Sequence, residues 1–415
     1  EHQNIIFNGN NYAPEWVEGH ATTGWDWIST IRGRDIGIWN DVYLTSTASV
    51  TLSDPVVSTH LDNLPDTLAC ITPRVIAHNW LNKDVSGTLK GWIGNLKFEK
   101  KLTLKAGEQC EVVFNPEQYP TLNDQRIRLW WPNGYGEPYL HEAGFEFVAD
   151  DKQNTTTNAR IGYKAGIREV RYADAKTQLK LYVNGKRLVP LGGNWGFSES
   201  NLNYRQREYD IAVRLHRDMN FNMIRNWVGM TGDEEFYDAC DKYGIMVWQD
   251  FWLANPADGP DPDDEEMFMR NARDFTSRMR RHPSIALYCG RNEGYPPKTL
   301  DDALRKTVAE MNPNMLYISS SADEGVSGHG PYWAEPARTY FAKQSGKLHT
   351  ERGMPNIMTP EGTHKTLGNT VEWRPGDAWG QHGFTQAGAQ RGASFMAIVE
   401  NMFGKITSAD EFTRL

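Results

Sequence analysis

Two rhythms of apolar and polar positions divide the chain. Over the first 165 residues, short runs rich in β-branched and aromatic residues alternate partially with polar ones, the period of half-buried strands. "RDIGIWNDVYLTSTASVTL" is one such run, and "GTLKGWIGNLKFEKKLTLKAGEQCEVVF" predicts three short strands broken by glycine and by a Lys-Ala-Gly-Glu turn. From about residue 178 strands and helices alternate instead. "LYVNGKRLVPLGG" predicts a hairpin turned at Asn184-Gly185, a pair suited to a type I′ turn. Helical spacing then puts Ile211, Ala212, Leu215 and Met219 on one face. A second helix opens with the capping-box spacing Thr231 to Glu234, buries Phe236, Ala239, Cys240 and Tyr243, and ends on Gly244. A third carries Phe268, Ala272, Phe275 and Met279 as a stripe and stops before Pro283. "NMIRNWV", "IMVWQDF", "SIALYCGRNE" and "MLYISSS" read as the strands between and after them.

These patterns predict a multidomain chain. Strands spaced by about ten residues over roughly a hundred suggest a β-sandwich of immunoglobulin type across residues 51–170. Residues 1–50 are too few for a domain and read as the end of another β domain. Alternating strands and helices imply a parallel sheet, and their even spacing favours a closed (β/α)8 TIM barrel over residues 171–415. No convincing eighth strand follows the helix-like "AQRGASFMAIVENMFG", so the barrel is expected to be incomplete.

Composition narrows the function. With 44 basic and 53 acidic residues the formal charge is −9, which argues against a nucleic-acid surface. No run approaches the ~18 consecutive apolar residues of a membrane span. The opening "EHQNIIFNGN" carries no signal-peptide pattern and reads as a mature or excised start. The four cysteines (Cys70, Cys110, Cys240, Cys289) are too few and scattered for a disulfide framework or a CxxC metal site, and the eleven histidines include no HExxH. No metal or other cofactor is expected, and the lack of GxGxxG and GxxxxGK[ST] weakens nucleotide readings. Aromatic residues reach 12%. Clusters such as "LWWPNGYG" and "GPYWAEP" suit loops folded over aromatics or flat faces that meet sugar rings.

In a barrel, chemistry sits at the C-terminal ends of the strands. Taking "LVPLGG", "NMIRNW", "IMVWQD" and "SIALYCGRNE" as the first four strands puts Glu293 at the top of the fourth, next to Asn292. Glu351 ends another short run, "GKLHTE", at about the seventh position. Two acids at the tops of strands on opposite sides of one pocket are the minimum set for retaining glycoside hydrolysis. One protonates the leaving oxygen and the other attacks the anomeric carbon, at a separation of about 5 Å.

Four stretches carry a resemblance to a known family: "GWDWISTIRGRDIGIWNDVYL", "IRLWWPNGYGEPYLHEAGFEF", "YCGRNEGYPP", and "GPYWAEPARTYF" with "GKLHTERGMP". Together they resemble glycoside hydrolase family 2, in the branch holding β-mannosidases, exo-β-glucosaminidases and endo-β-mannosidases. In order, they are similar to the last strands of the family's jelly-roll sugar-binding domain, the closing strands of its immunoglobulin-like domain, the Asn-Glu acid/base motif and the nucleophile region. The resemblance implies a retaining β-glycosidase acting on β-mannosidic or related linkages, without a cofactor, with a glycoside or oligosaccharide as partner. It implies that Glu293 is the acid/base, Glu351 the nucleophile, and Asn292 the ligand of the hydroxyl beside the anomeric centre. It further implies that Arg225 orients Glu351 and that Asp250, Trp195, Trp252, Tyr332 and Trp333 line the pocket. "NEGYPP" is nearer the endo-acting mannosidases, exo-glucosaminidases place Asp where Glu293 stands, and Arg352 replaces the family's usual flat aromatic. The sequence does not identify the compartment; the resemblance suggests a periplasmic or secreted one. Two alternatives stay open: an inactive carbohydrate-binding protein on the same scaffold, and a β-galactosidase or β-glucuronidase of the same family.

Overall fold

The computed structural model describes residues 42–62, 68–151, 159–195, 204–256, 261–330, 346–352, 359–367 and 393–415, with the backbone of two short paired strands, β1 (Asn4–Ile5) and β2 (Asn11–Tyr12). Most of the expected jelly-roll segment lies outside the described residues. The chain divides into two compact units, Glu1–Gly325 and Val326–Leu415.

Alternation builds the first part of the larger unit. β3 (Val50–Asp62), β4 (Leu68–Asn79) and β7 (Gln109–Val113) form one antiparallel sheet in the order β3-β4-β7. β5 (Val85–Ile93), β6 (Leu96–Leu104), β8 (His141–Ala149) and β9 (Ala159–Ala165) form a second, in the order β6-β5-β8-β9. The three strands read from the 87–114 stretch are β5, β6 and β7. Ala69, Ile71, Val75 and Ala77 of one sheet and Leu89, Ile93, Phe145 and Phe147 of the other share a single core. Burying each large apolar side chain there contributes roughly 1.5–3 kcal/mol.

β10 (Val170–Ala173), β11 (Lys180–Val183) and β12 (Lys186–Leu188) make a small antiparallel sheet. The β11–β12 turn has Asn184 at φ 48° and Gly185 at φ 75°, the pair of positive values that a type I′ turn requires. Five parallel strands follow in chain order: β13 (Gly192–Trp195), β14 (Met223–Asn226), β15 (Met246–Asp250), β16 (Ile285–Arg291) and β17 (Tyr317–Ser320). α1 (Gln206–Asp218), α2 (Glu234–Tyr243), α3 (Glu265–Met279) and α4 (Lys298–Met311) stand between them in sequence. Every residue of β14, β15 and β16 is buried, as for parallel strands covered on both faces.

Three local expectations change. The first parallel strand is "GGNW", not "LVPLGG". A Cβ on Gly192 would lie 1.7 Å from the Met223 carbonyl oxygen, so the lack of a side chain at this position is what lets these strands approach. On α1 the buried side chains are Tyr209 and Val213, whereas Leu215 and Met219 are 49% and 56% exposed. The Tyr209 hydroxyl donates to Asp233 at 2.6 Å and bonds Thr231 Oγ1 at 2.8 Å, which turns that edge inward. The same contact engages Thr231, so the capping box does not form, and α2 starts at Glu234 after Asp233. The buried face of α2, its left-handed Gly244 (φ 73°) and the stripe on α3 are as predicted.

"LWWPNGYG" proves to be a joint. Trp130 is fully buried, and its indole N–H donates to the Asp241 carbonyl at 2.8 Å. Asn133 donates to the carbonyls of Arg217 and Phe221 at 3.0 and 2.8 Å, partners that the end of α1 cannot find within its own helix. The sandwich is thereby tied to the N-terminal side of the parallel sheet.

In the smaller unit β18 (Val326–Ser327) pairs in parallel with β19 (Leu348–His349). Helices at Pro360–Leu367, Ala393–Phe403 and Ala409–Arg414 follow. No helix among the described residues is long and apolar enough to cross a membrane.

Candidate active site

Parallel strands bring side chains distant in sequence to one edge of the sheet. Arg225 on β14, Asp250 at the end of β15 and Asn292 just past β16 meet there, 4%, 0% and 3% exposed. Asp250 Oδ2 accepts from Arg225 Nη2 at 2.6 Å and Nε at 3.0 Å, and from the Val228 amide at 3.0 Å. Its Oδ1 accepts the Trp248 indole N–H at 2.7 Å. A buried ion pair is tolerated only when its remaining donors and acceptors are met in this way. Val228 sits at φ 43°, an unfavourable value for a β-branched residue, and its bond to Asp250 helps hold it there. Arg225 Nη2 also donates to Asn292 Oδ1 at 2.7 Å. The Asn292 amide therefore has a fixed sense, with its oxygen toward the guanidinium and its NH2 group away from it.

Glu293 follows, half-buried and at φ 47°. Its amide N–H donates to Ser321 Oγ at 3.0 Å, and its Oε2 accepts from Asn255 Nδ2 at 2.9 Å. The chain then turns away closely against Pro256. A Cβ on Gly294 would meet that ring at 2.6 Å, so the residue after the acid has to be glycine or the turn must shift.

Two of the three expected pocket tryptophans lie in the packing. Trp252 is 1% exposed, with ring centroids of Phe268 and Phe275 at 5.1 and 5.6 Å. Trp195 is 8% exposed, 5.1 Å from the ring of Phe236. Tyr332 and Trp333 lie outside the described residues. Glu351 belongs to the smaller unit, half-buried and two positions past the end of β19. Burial, and then the Arg352 charge, lower the titration of His349 beside it. Asn255 and Ser321 were not picked out from sequence. Their only signal is position, just beyond the ends of β15 and β17.

Two groups of metal-type ligands converge among the described residues, Asp62/Cys70/Asp124 and Asp238/Asp241/His282. Burial, together with the Asp62 and Asp124 carboxylates, raises the Cys70 thiol. His282 is held as a cation and is unsuited to a metal. Burial opposes its charge, but Asp241 and Glu234 outweigh that and raise it to about 9. Burial pushes the Cys240 and Cys289 thiols well up, which leaves them inert.

No protein-family model matches the chain. It is 32% identical over 330 residues to the mannosylglycoprotein endo-β-mannosidase of Lilium longiflorum, covering 72% of this chain and 32% of that one. It is 28% identical over 354 residues to an exo-β-D-glucosaminidase of Streptomyces avermitilis, covering 79% of this chain and 38% of that one. The chain thus spans about a third of the length of the curated relatives it matches. Its fold is shared with the exo-chitosanase of Amycolatopsis orientalis (TM-score 0.73, 17% identity, 89% of this chain and 45% of that one). It is also shared with the β-D-mannosidase of Dictyoglomus thermophilum (TM-score 0.70, 24% identity, 88% and 47%). By these relationships the chain belongs to glycoside hydrolase family 2, in the branch of β-mannosidases, exo-β-glucosaminidases and endo-β-mannosidases.

Proposed function

We propose that this chain carries the two carboxylates of a retaining β-glycosidase acting on β-mannosidic or related β-linked glycosides. One observation supports the reading above the others. Glu293 stands just past the C-terminal end of a fully buried parallel strand, beside an amide whose sense is fixed by a buried Arg225–Asp250 pair. The kinship with mannosidic enzymes favours that linkage class.

In this reading residues 51–170 are the immunoglobulin-like sandwich and residues 171–415 a (β/α)8 barrel that begins with β13–β17, while residues 1–50 close a jelly-roll. Glu293 donates its proton to the leaving glycosidic oxygen as Glu351 attacks the anomeric carbon, giving a glycosyl ester on Glu351. Glu293, now a base, takes a proton from water, whose oxygen displaces Glu351 with net retention. The Asn292 NH2 group donates to the hydroxyl next to the anomeric centre. Asp250 holds Arg225, and through it the Asn292 amide, in place.

A 2-deoxy-2-fluoro-mannosyl fluoride tests the nucleophile: the covalent label is expected on the Glu351 peptide. A label elsewhere, or none on protein that turns over an aryl β-mannoside, would overturn the assignment. A panel of chromogenic β-glycosides identifies the sugar, and binding without turnover across that panel would leave a carbohydrate-binding role instead.

A further inference from the structure

Glu293 is held from two neighbouring strands at once, its carboxylate from one side and its backbone N–H from the other. Asn255, in the segment after β15, donates Nδ2 to Oε2 at 2.9 Å. Ser321, the residue after β17, accepts the Glu293 amide N–H at 3.0 Å and donates its hydroxyl to Asn292 Oδ1 at 3.4 Å. The Ser321 amide donates to the Arg291 carbonyl at 3.0 Å, and the Asn292 amide to the Leu253 carbonyl at 3.0 Å. The turn that bears the acid is thus pinned on both flanks by side chains and by backbone.

We propose that Asn255 and Ser321 are positioning residues for Glu293. Ser321 holds the backbone at its left-handed φ of 47°, and Asn255 sets the rotation of the carboxylate. The inference rests on the acid/base reading of Glu293. Its chemistry follows from the direction of one bond. An amide N–H donated to Oε2 favours the proton on the other oxygen, so the acid carries and delivers it from Oε1. A glutamate has three side-chain torsions, and without such a hold it samples rotamers in which that proton misses the glycosidic oxygen.

Leaving-group dependence separates this role from a merely structural one. A dinitrophenolate leaves without protonation, whereas an alkyl or sugar alcohol does not. In Asn255→Ala and Ser321→Ala, kcat/KM for a disaccharide or alkyl β-glycoside is expected to fall about 10- to 100-fold, within the range of general acid catalysis. For the dinitrophenyl glycoside it is expected to fall less than about threefold, since no proton transfer is lost. Equal losses on both substrates, or none on either, would overturn the inference. Glu293→Gln is measured alongside. If it shows no leaving-group dependence, the acid/base reading itself is wrong; if it does and the other two variants do not, only the positioning inference fails. Should Ser321→Ala melt below the assay temperature, Asn255→Ala in its half-buried loop decides alone.

Discussion

Just before β16 begins, His282 lies buried with Nδ1 2.7 Å from Asp241 and Nε2 3.2 Å from Glu234, while Arg281 pairs with Glu234 at 2.5 Å. Just past its other end, Asn292 and Glu293 stand against Arg225, Asp250, Asn255 and Ser321. Both ends are polar and hydrogen-bonded, yet they do different work. The His282 cluster is closed on itself. Burial opposes charge on both partners, but the His282 bond and the Arg281 charge lower Glu234 to about 2, while Asp241 and Glu234 raise His282 to about 9 against the opposing Arg281 charge. The other end is built in layers, with a buried ion pair that fixes an amide and a half-buried carboxylate beyond it. Shifted titration alone would choose the His282 end as the functional one. Direction along the strand and the layering of the bonds favour Glu293.

The largest effect expected from breaking this contrast is at the ion pair. Arg225→Met leaves Asp250 charged and fully buried, and should cost about 3–5 kcal/mol in denaturant unfolding. Adding Asp250→Leu should recover most of that loss without restoring turnover. If the double variant regains activity, the pair serves only to stabilise the fold.

His282 sharpens the comparison from the other side. Its folded titration lies above the unfolded value of about 6.5. The stabilisation is therefore fully present below pH ~6.5 and is lost as pH rises through about 9. A shift of that size corresponds to about 3 kcal/mol. Glu234 runs the opposite way: its contribution is present above its ordinary carboxylate range and lost as pH falls through about 2. Unfolding midpoints of the native chain should therefore decline between pH 6.5 and 9.5 relative to those of His282→Gln. Turnover per folded molecule should be the same in both at pH 6. A flat difference across that range would show that His282 is not the cation of this cluster.

These two ends were not equally legible in the sequence. The stripe on α3 and the Asn184-Gly185 turn could be read because local spacing alone decides them. The inward face of α1 could not, because Tyr209 is drawn in by Asp233, which is 24 positions away. Nor could the start of the first parallel strand at Gly192, which depends on Met223 lying against it. At the candidate site, Asn-Glu after an apolar run identifies the strand end. Arg225 and Asp250 can be suspected from their places on the next strands. Asn255 and Ser321 are ordinary polar loop residues, and only the lateral order of β15, β16 and β17 brings them to Glu293.

The smallest expected effect concerns the backbone that carries the acid. At φ 47° an L side chain crowds its own carbonyl by roughly 1 kcal/mol, a strain that glycine lacks. Replacing Glu293 by Ala or by Gly removes the carboxylate and its bond to Asn255 in both cases, so the two variants differ only in Cβ. In a helix or strand interior the Gly variant would be the less stable by about 0.5–1 kcal/mol. Here that gap should close or reverse, because the strain carried by the Ala variant offsets the Gly penalty, while both lose turnover of poor-leaving-group substrates. A strained residue kept where glycine would fit better is what a site selected for its carboxylate, rather than for its fold, leads one to expect. Denaturant midpoints of the two variants, measured side by side, decide it: if the Ala variant is the more stable by the ordinary margin of about 0.5–1 kcal/mol, Glu293 carries no strain and its backbone is simply that of a relaxed turn.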